Sequence, residues 1–360
     1  MYKIMTPGPT QVAENVRNAR ALECTNPDLD VEFYDYYKET CELISSLFGT
    51  KNETLILSGE GILGLEAACA SMTEPGDRVL VLDNGIYGNG FKDFVSIYGG
   101  EPVLYTVDYK NEIDAAALED YLSKDNNFKY ATVVHCDTPS GMLNDISKIC
   151  PILKKHGIMT VVDSVSAMFG EYVNVDEFRI DILCGGSQKA VSAPPGLTFV
   201  TVSDDAKQAM KNRKTPIASF YANLAIFEGY YEKKWFPYTM PISDIYGLRA
   251  AFENIKNDTD ILSRHARVAD KVRNALKEHG FKLYQESGFS NTVTVFMVPD
   301  GMTADYILEE MKSKYGIMLA GSFGEFAGTV IRIGHMGENA RDEKAEEVLD
   351  ALFEICSRKN

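Results

Sequence analysis

Seven short apolar runs alternate with helix-like stretches between about residues 54 and 210, and this alternation restricts the fold more than any other feature. The runs are TLILS (54–58), RVLVLD (78–83), EPVLYTV, KYATVVHCD, IMTVVDS, DILCGG and GLTFVTV. Most are apolar at both alternating positions, as strands are when helices cover both faces of a parallel sheet. Strands and helices in turn predict an α/β layered domain with right-handed crossovers and a mostly parallel seven-stranded sheet. From Ser243 to His279 the pattern becomes one long helical stretch. It is followed by FKLYQ, NTVTVFMVP, a helix near ADYILEEMKSKYG, then TVIRIG and a last helix to residue 358. The expected division is an N-terminal arm (1–14), a large α/β domain (15–252) and a smaller C-terminal α+β domain (253–360). The prolines at 7 and 9 read as an extended arm outside the core.

Ligands of such sheets gather at the carboxyl ends of the strands, where Asp83, Asp163 and the loop GGSQKAVSAPPG all fall. Lys189 in that loop lies 26 positions beyond Asp163. A lysine among small residues, with a carboxylate ending a neighbouring buried strand, is the pair that pyridoxal-phosphate chemistry uses. The amine forms a Schiff base, and the carboxylate keeps the pyridine nitrogen protonated so that the ring draws electrons. A solvated lysine explains the loop too, so the rest of the chain must decide.

The segment Gly59-Glu60-Gly61-Ile62-Leu63-Gly64 offers a rival. It follows a strand, opens a helix and is trailed 19 residues later by Asp83, the context of a dinucleotide-binding turn. An NAD-dependent dehydrogenase would fit this turn but leaves Asp163 and Lys189 without a role. A helix N-terminus of small residues binds any phosphate, so the segment serves a pyridoxal-phosphate site equally well.

Composition narrows the partners. The 52 acidic against 36 basic residues give a net charge of −16, which argues against nucleic acid or an anionic membrane surface. Seven cysteines without a CxxC pair suggest neither a disulfide framework nor a zinc site. MYKIMTPGPT has no apolar leader core, so a cytoplasmic protein is expected.

The segments TPGPT, EPGDRVLVLDNGIYG, VVDSVSAMFG, GGSQKAVSAPPG, WFPYTMPISDIYGLRAA and IRIGHMG, taken together, resemble the class V aminotransferases of fold type I. The resemblance is nearest the alanine–glyoxylate and serine–glyoxylate (serine–pyruvate) group, and it covers nearly the whole chain. It implies that Lys189 is the Schiff-base lysine and Asp163 the partner of the pyridine nitrogen. Tyr87 would stack on the ring, Val165 would pack under its other face, and Thr138 would lie near the phenolic oxygen. Glu60, Gly61 and Ile62 with Gln188 would form the phosphate end. Thr239 would reach that end from the neighbouring subunit of a homodimer with shared active sites. Arg332 would grip the substrate carboxylate with its planar fork of donors, beside Gly8.

The activity implied moves the amino group of alanine or serine to glyoxylate or pyruvate. Within the family the alternative is 2-aminoethylphosphonate–pyruvate transamination. A cysteine desulfurase is disfavoured by Gln188, where histidine is usual there, and by Cys356 lying in the terminal helix. A binding protein without turnover stays open because of Glu60. The family commonly has serine or threonine at that position, whereas two like charges 4 Å apart cost roughly 4 kcal/mol at a surface-like dielectric. Glu60 is therefore expected to point away, pair with a cation or be protonated, leaving the amides of residues 60–62 for the phosphate.

Overall fold

The computed structural model describes residues 2–357. Its centre is a seven-stranded sheet built from β2 (Glu53–Ser58), β3 (Arg78–Asp83), β4 (Glu101–Thr106), β5 (Tyr130–Val134), β6 (Met159–Asp163), β7 (Ile182–Gly186) and β8 (Leu197–Val202). The spatial order is β2-β8-β7-β6-β5-β3-β4, and every neighbouring pair is parallel except those involving β8. β5 and β7 are buried along their whole length, which is why their sequences are apolar without alternation. β4 is the edge strand and is partly exposed.

Helices α1 (Glu14–Ala19), α2 (Val31–Leu47), α3 (Gly61–Met72) and α4 (Ile86–Ile97) belong to this layer system. α3 follows β2 and packs on β7 and β8, so its N-terminus opens at the carboxyl ends of the central strands. A second sheet pairs β9 (Val293–Met297) antiparallel with β11 (Val330–Gly334). Its inner face shares an apolar cluster with the helices Ile261–Glu278, Ala304–Tyr315 and Asp342–Ser357.

Three details depart from the sequence reading. The N-terminal arm is not free of the core. β1 (Lys3–Ile4) runs parallel to β10 (Ile317–Met318), and Met5 is buried in the second apolar cluster. The long helical stretch is two helices, Ile242–Asn257 and Ile261–Glu278, broken at Asp258–Asp260. Asp258 takes the side chain of Arg264 in a bidentate pair (2.6 and 2.9 Å) and so fixes the break. FKLYQ contributes one isolated bridge, Leu283 to Phe296, not a strand. The last helix is described over Asp342–Ser357, and its expected end at residue 358 lies outside the described residues.

Candidate active site

Strand β7 delivers Lys189 into a turn whose backbone is held from two sides. Ser187 Oγ donates to Pro194 O at 2.7 Å, closing the loop on itself. Across it, Thr10 donates its N–H to Gln188 O (3.0 Å) and its hydroxyl to Lys189 O (2.9 Å). The N-terminal segment thus clamps the lysine loop, a role for Thr10 that sequence reasoning missed because the pairing spans almost the whole large domain. Gly8 has φ +102, and a Cβ there would sit 2.4 Å from Lys189 Cδ. Only glycine lets the chain pass this close to the lysine stem.

Lys189 is half-buried, and its Nζ donates to Pro7 O at 2.5 Å. Burial, with the nearby Arg332 guanidinium, brings its amine down from 10.5 to about 8. Asp163 ends β6 and accepts the Val165 N–H at 2.9 Å. Burial pushes its carboxyl up from 3.8 to about 7. Such opposed shifts are what an amine and a carboxyl acquire when a site excludes water.

Tyr87 is set by the start of α4. The buried Asp137 accepts the Tyr87 N–H (2.9 Å) and the Ser140 hydroxyl (2.7 Å), tying this helix to the hairpin after β5. Asp137 was not singled out from the sequence, although it precedes Thr138 in CDTPSG. A cavity of about 270 Å³ is lined by Gly8, Glu60, Gly61, Ile62, Tyr87, Thr138, Asp163, Val165, Gln188 and Lys189. Cys136 and Ser166 also line it, and no motif in the chain marks either one. Arg332 on β11 stands beside this cavity, donating Nε–H to Gly321 O (2.7 Å) and Nη1–H to Thr138 O (3.3 Å). Thr239 is elsewhere in the protomer, where its hydroxyl donates to Asp28 Oδ2 at 3.3 Å.

The phosphate end differs from expectation. Glu60 does not turn away from the helix. It is the N-cap of α3 and accepts the Ile62 N–H on Oε1 (3.1 Å) and the Gln188 Nε2–H on Oε2 (3.0 Å). Among the described residues its hydrogen-bond partners are therefore an amide and a carboxamide, not a cation. The local reason is ordinary N-capping, in which a short-range carboxylate satisfies an unpaired amide and the positive helix end. Side chains for a pyridine ring are all present, with an amine, a carboxylate and two flanking faces. Two of the donors expected for a phosphate, the Ile62 amide and the Gln188 carboxamide, are already taken by the protein's own carboxylate.

Asp83 is also accounted for. It is buried and accepts from Tyr109 (2.6 Å), Asn89 (2.9 Å) and Thr106 (3.0 Å), which leaves no role for it at a ribose. A central parallel sheet with a buried lysine and carboxylate at its strand ends defines an enzyme of pyridoxal type. Residues 9–332 match the family model for class V aminotransferases, and the chain belongs to that family. Its chemistry is amino transfer, and the family works with pyridoxal phosphate.

The chain is 33% identical to the pyridoxamine–pyruvate transaminase of Mesorhizobium japonicum, over 90% of this chain and 84% of that one. It is 30% identical to the alanine–glyoxylate aminotransferase of Callithrix jacchus, over 99% and 88%. The crystal structure of ureidoglycine–glyoxylate aminotransferase from Bacillus subtilis superposes with a TM-score of 0.95 at 28% identity, covering 99% of this chain and 93% of that one.

Proposed function

We propose that the protein transfers an amino group between a small amino acid, alanine or serine, and a small 2-oxo acid, glyoxylate or pyruvate. The observation that carries this reading is that the half-buried Lys189 and the buried Asp163 line the same cavity of only about 270 Å³, which has Arg332 at its side. When bound, the pyridine ring supplies the electron sink for the carbanion formed on losing the α-proton. Lys189 would hold the ring and, once free, would move the proton at the substrate α-carbon. An amine titrating near 8 is matched to both tasks. Asp163 would keep a proton on the ring nitrogen, and Tyr87, Val165 and Thr138 would help hold the ring. Arg332 has donors left beyond its two backbone carbonyls and uses them for the substrate carboxylate.

The reading includes a homodimer in which Thr239 faces the Glu60 end of the neighbouring site. Its support is a set of exposed apolar side chains, Leu22, Leu29, Val31, Phe220, Tyr221 and Trp235, in segments joined by the Thr239–Asp28 hydrogen bond. The reading keeps the division into arm, large domain and small domain, supported by Gly8 and Pro9 of the arm lining the cavity and Arg332 of the small domain standing beside it. A cytoplasmic location rests on the seven unpaired cysteines. Among the described residues no helix is long and apolar enough to cross a membrane.

A donor–acceptor matrix tests the reading. Alanine, serine and, following the name of the Mesorhizobium relative, pyridoxamine are paired with glyoxylate and pyruvate. Each pair is run with and without added pyridoxal phosphate. Turnover with at least one small amino acid, abolished in Lys189→Ala, is expected. Absence of product in every combination would sink the proposal.

A further inference from the structure

The Glu60 end of the cavity has an electrostatic character opposite to that of a phosphate site. A phosphate monoester brings about −1.5 to −2 charges at neutral pH and no hydrogen to donate, so its site needs donors. Here the Ile62 amide and the Gln188 carboxamide both donate to Glu60. A second, independent observation lies beside them. Gln188 is 7% exposed, and its Oε1 is buried without a hydrogen-bond partner. That oxygen is confined, because a Cβ on Gly186 would lie 2.8 Å from it and 3.4 Å from Gly61 Cα. An unpaired buried acceptor costs free energy until a donor arrives. The end of the cavity is therefore edged by the Glu60 carboxylate, with the unpaired Gln188 Oε1 buried behind it, so acceptors and not free donors meet whatever the ring carries there. A hydroxymethyl group supplies the matching O–H donor, and a phosphate supplies none.

We propose that this site selects the unphosphorylated ring compounds, pyridoxal and pyridoxamine, over their 5′-phosphates. The proposal rests on the reading of Lys189 as the residue that holds the ring. Without a phosphate anchor the ring is exchangeable, so pyridoxamine acts as an amino donor in its own right. The exchange balances with no further reagent. The C–N bond at the exocyclic carbon of pyridoxamine breaks and one forms at C2 of the oxo acid. The exocyclic carbon is oxidised by two electrons to the aldehyde, and C2 is reduced by the same two. The oxo oxygen of the acid leaves as water, and one water molecule is consumed in supplying the aldehyde oxygen.

Protein freed of any bound ring compound is titrated with pyridoxal and with pyridoxal 5′-phosphate, and the dissociation constants are read from ring absorbance. The native protein is expected to bind pyridoxal more tightly. Glu60→Ser is expected to move the affinity ratio toward the phosphate by about a hundredfold. Glu60→Gln keeps the length and the cap while removing the charge, so a shift in the same direction is expected even if the serine variant folds poorly. Equal or tighter binding of the phosphate by the native protein overturns the proposal, and so does a ratio unchanged in both variants. If Lys189 captures the phosphate form and amino acids turn over, only this selection falls. If it captures neither compound, the amino-transfer reading falls as well.

Discussion

At the residue scale the decisive quantity is the protonation of Lys189. Only the neutral amine attacks a carbonyl, and burial brings this amine to about 8 instead of the usual 10.5. Below that pH the folded protein holds a protonated amine, and above it the amine is free. The rate at which pyridoxal is captured is therefore expected to climb with pH up to about 8 and then level off. Stopped-flow absorbance across pH 6–10 reads this directly. A rate still climbing between 9 and 10 would mean that the lysine is solvated. The placement of Lys189 and Asp163 at strand ends was legible in the sequence because strand ends and small-residue loops are local patterns. The contact of Gly8 with the lysine stem was not explicable that way, since it depends on residues about 180 positions apart.

At the element scale, the fold was readable wherever burial is two-sided. β5 and β7 betray themselves by unbroken apolar runs. The two-residue β1 carries no such pattern, because its strand character comes only from pairing with Ile317–Met318. The direction of the Glu60 side chain was equally hidden, as it is set jointly by the start of α3 and by Gln188 on a distant loop. The start of α4 shows how such non-local capping holds the site together. Asp137→Ala removes acceptors used by the Tyr87 amide and by Ser140, and leaves those donors buried. A loss of about 1–3 kcal/mol in urea unfolding is expected, together with weaker ring binding. Unchanged stability would show that solvent satisfies those donors.

At the scale of the whole molecule, two apolar clusters both draw on β9 and β11, with Val295 and Val330 in one and Phe296 and Ile331 in the other. Arg332 enters from β11, while Lys189 and Asp163 come from the central sheet. The exposed apolar segments around residues 22–31 and 220–235 are expected to be covered by a second copy, so sedimentation should give a dimer at micromolar concentration. Thr239→Ala should then weaken ring binding although Thr239 does not line its own chain's cavity. A monomer with full ring affinity would contradict both expectations. The account as a whole turns on whether Lys189 carries the ring through an amino transfer. Pyridoxal is bound to the protein, alanine is added, and the ring absorbance is followed before pyruvate is supplied. The account predicts that alanine abolishes the aldehyde-form band and pyruvate restores it, with neither change in Lys189→Ala. A band that alanine leaves untouched in the native protein, or one that responds equally in Lys189→Ala, would contradict it.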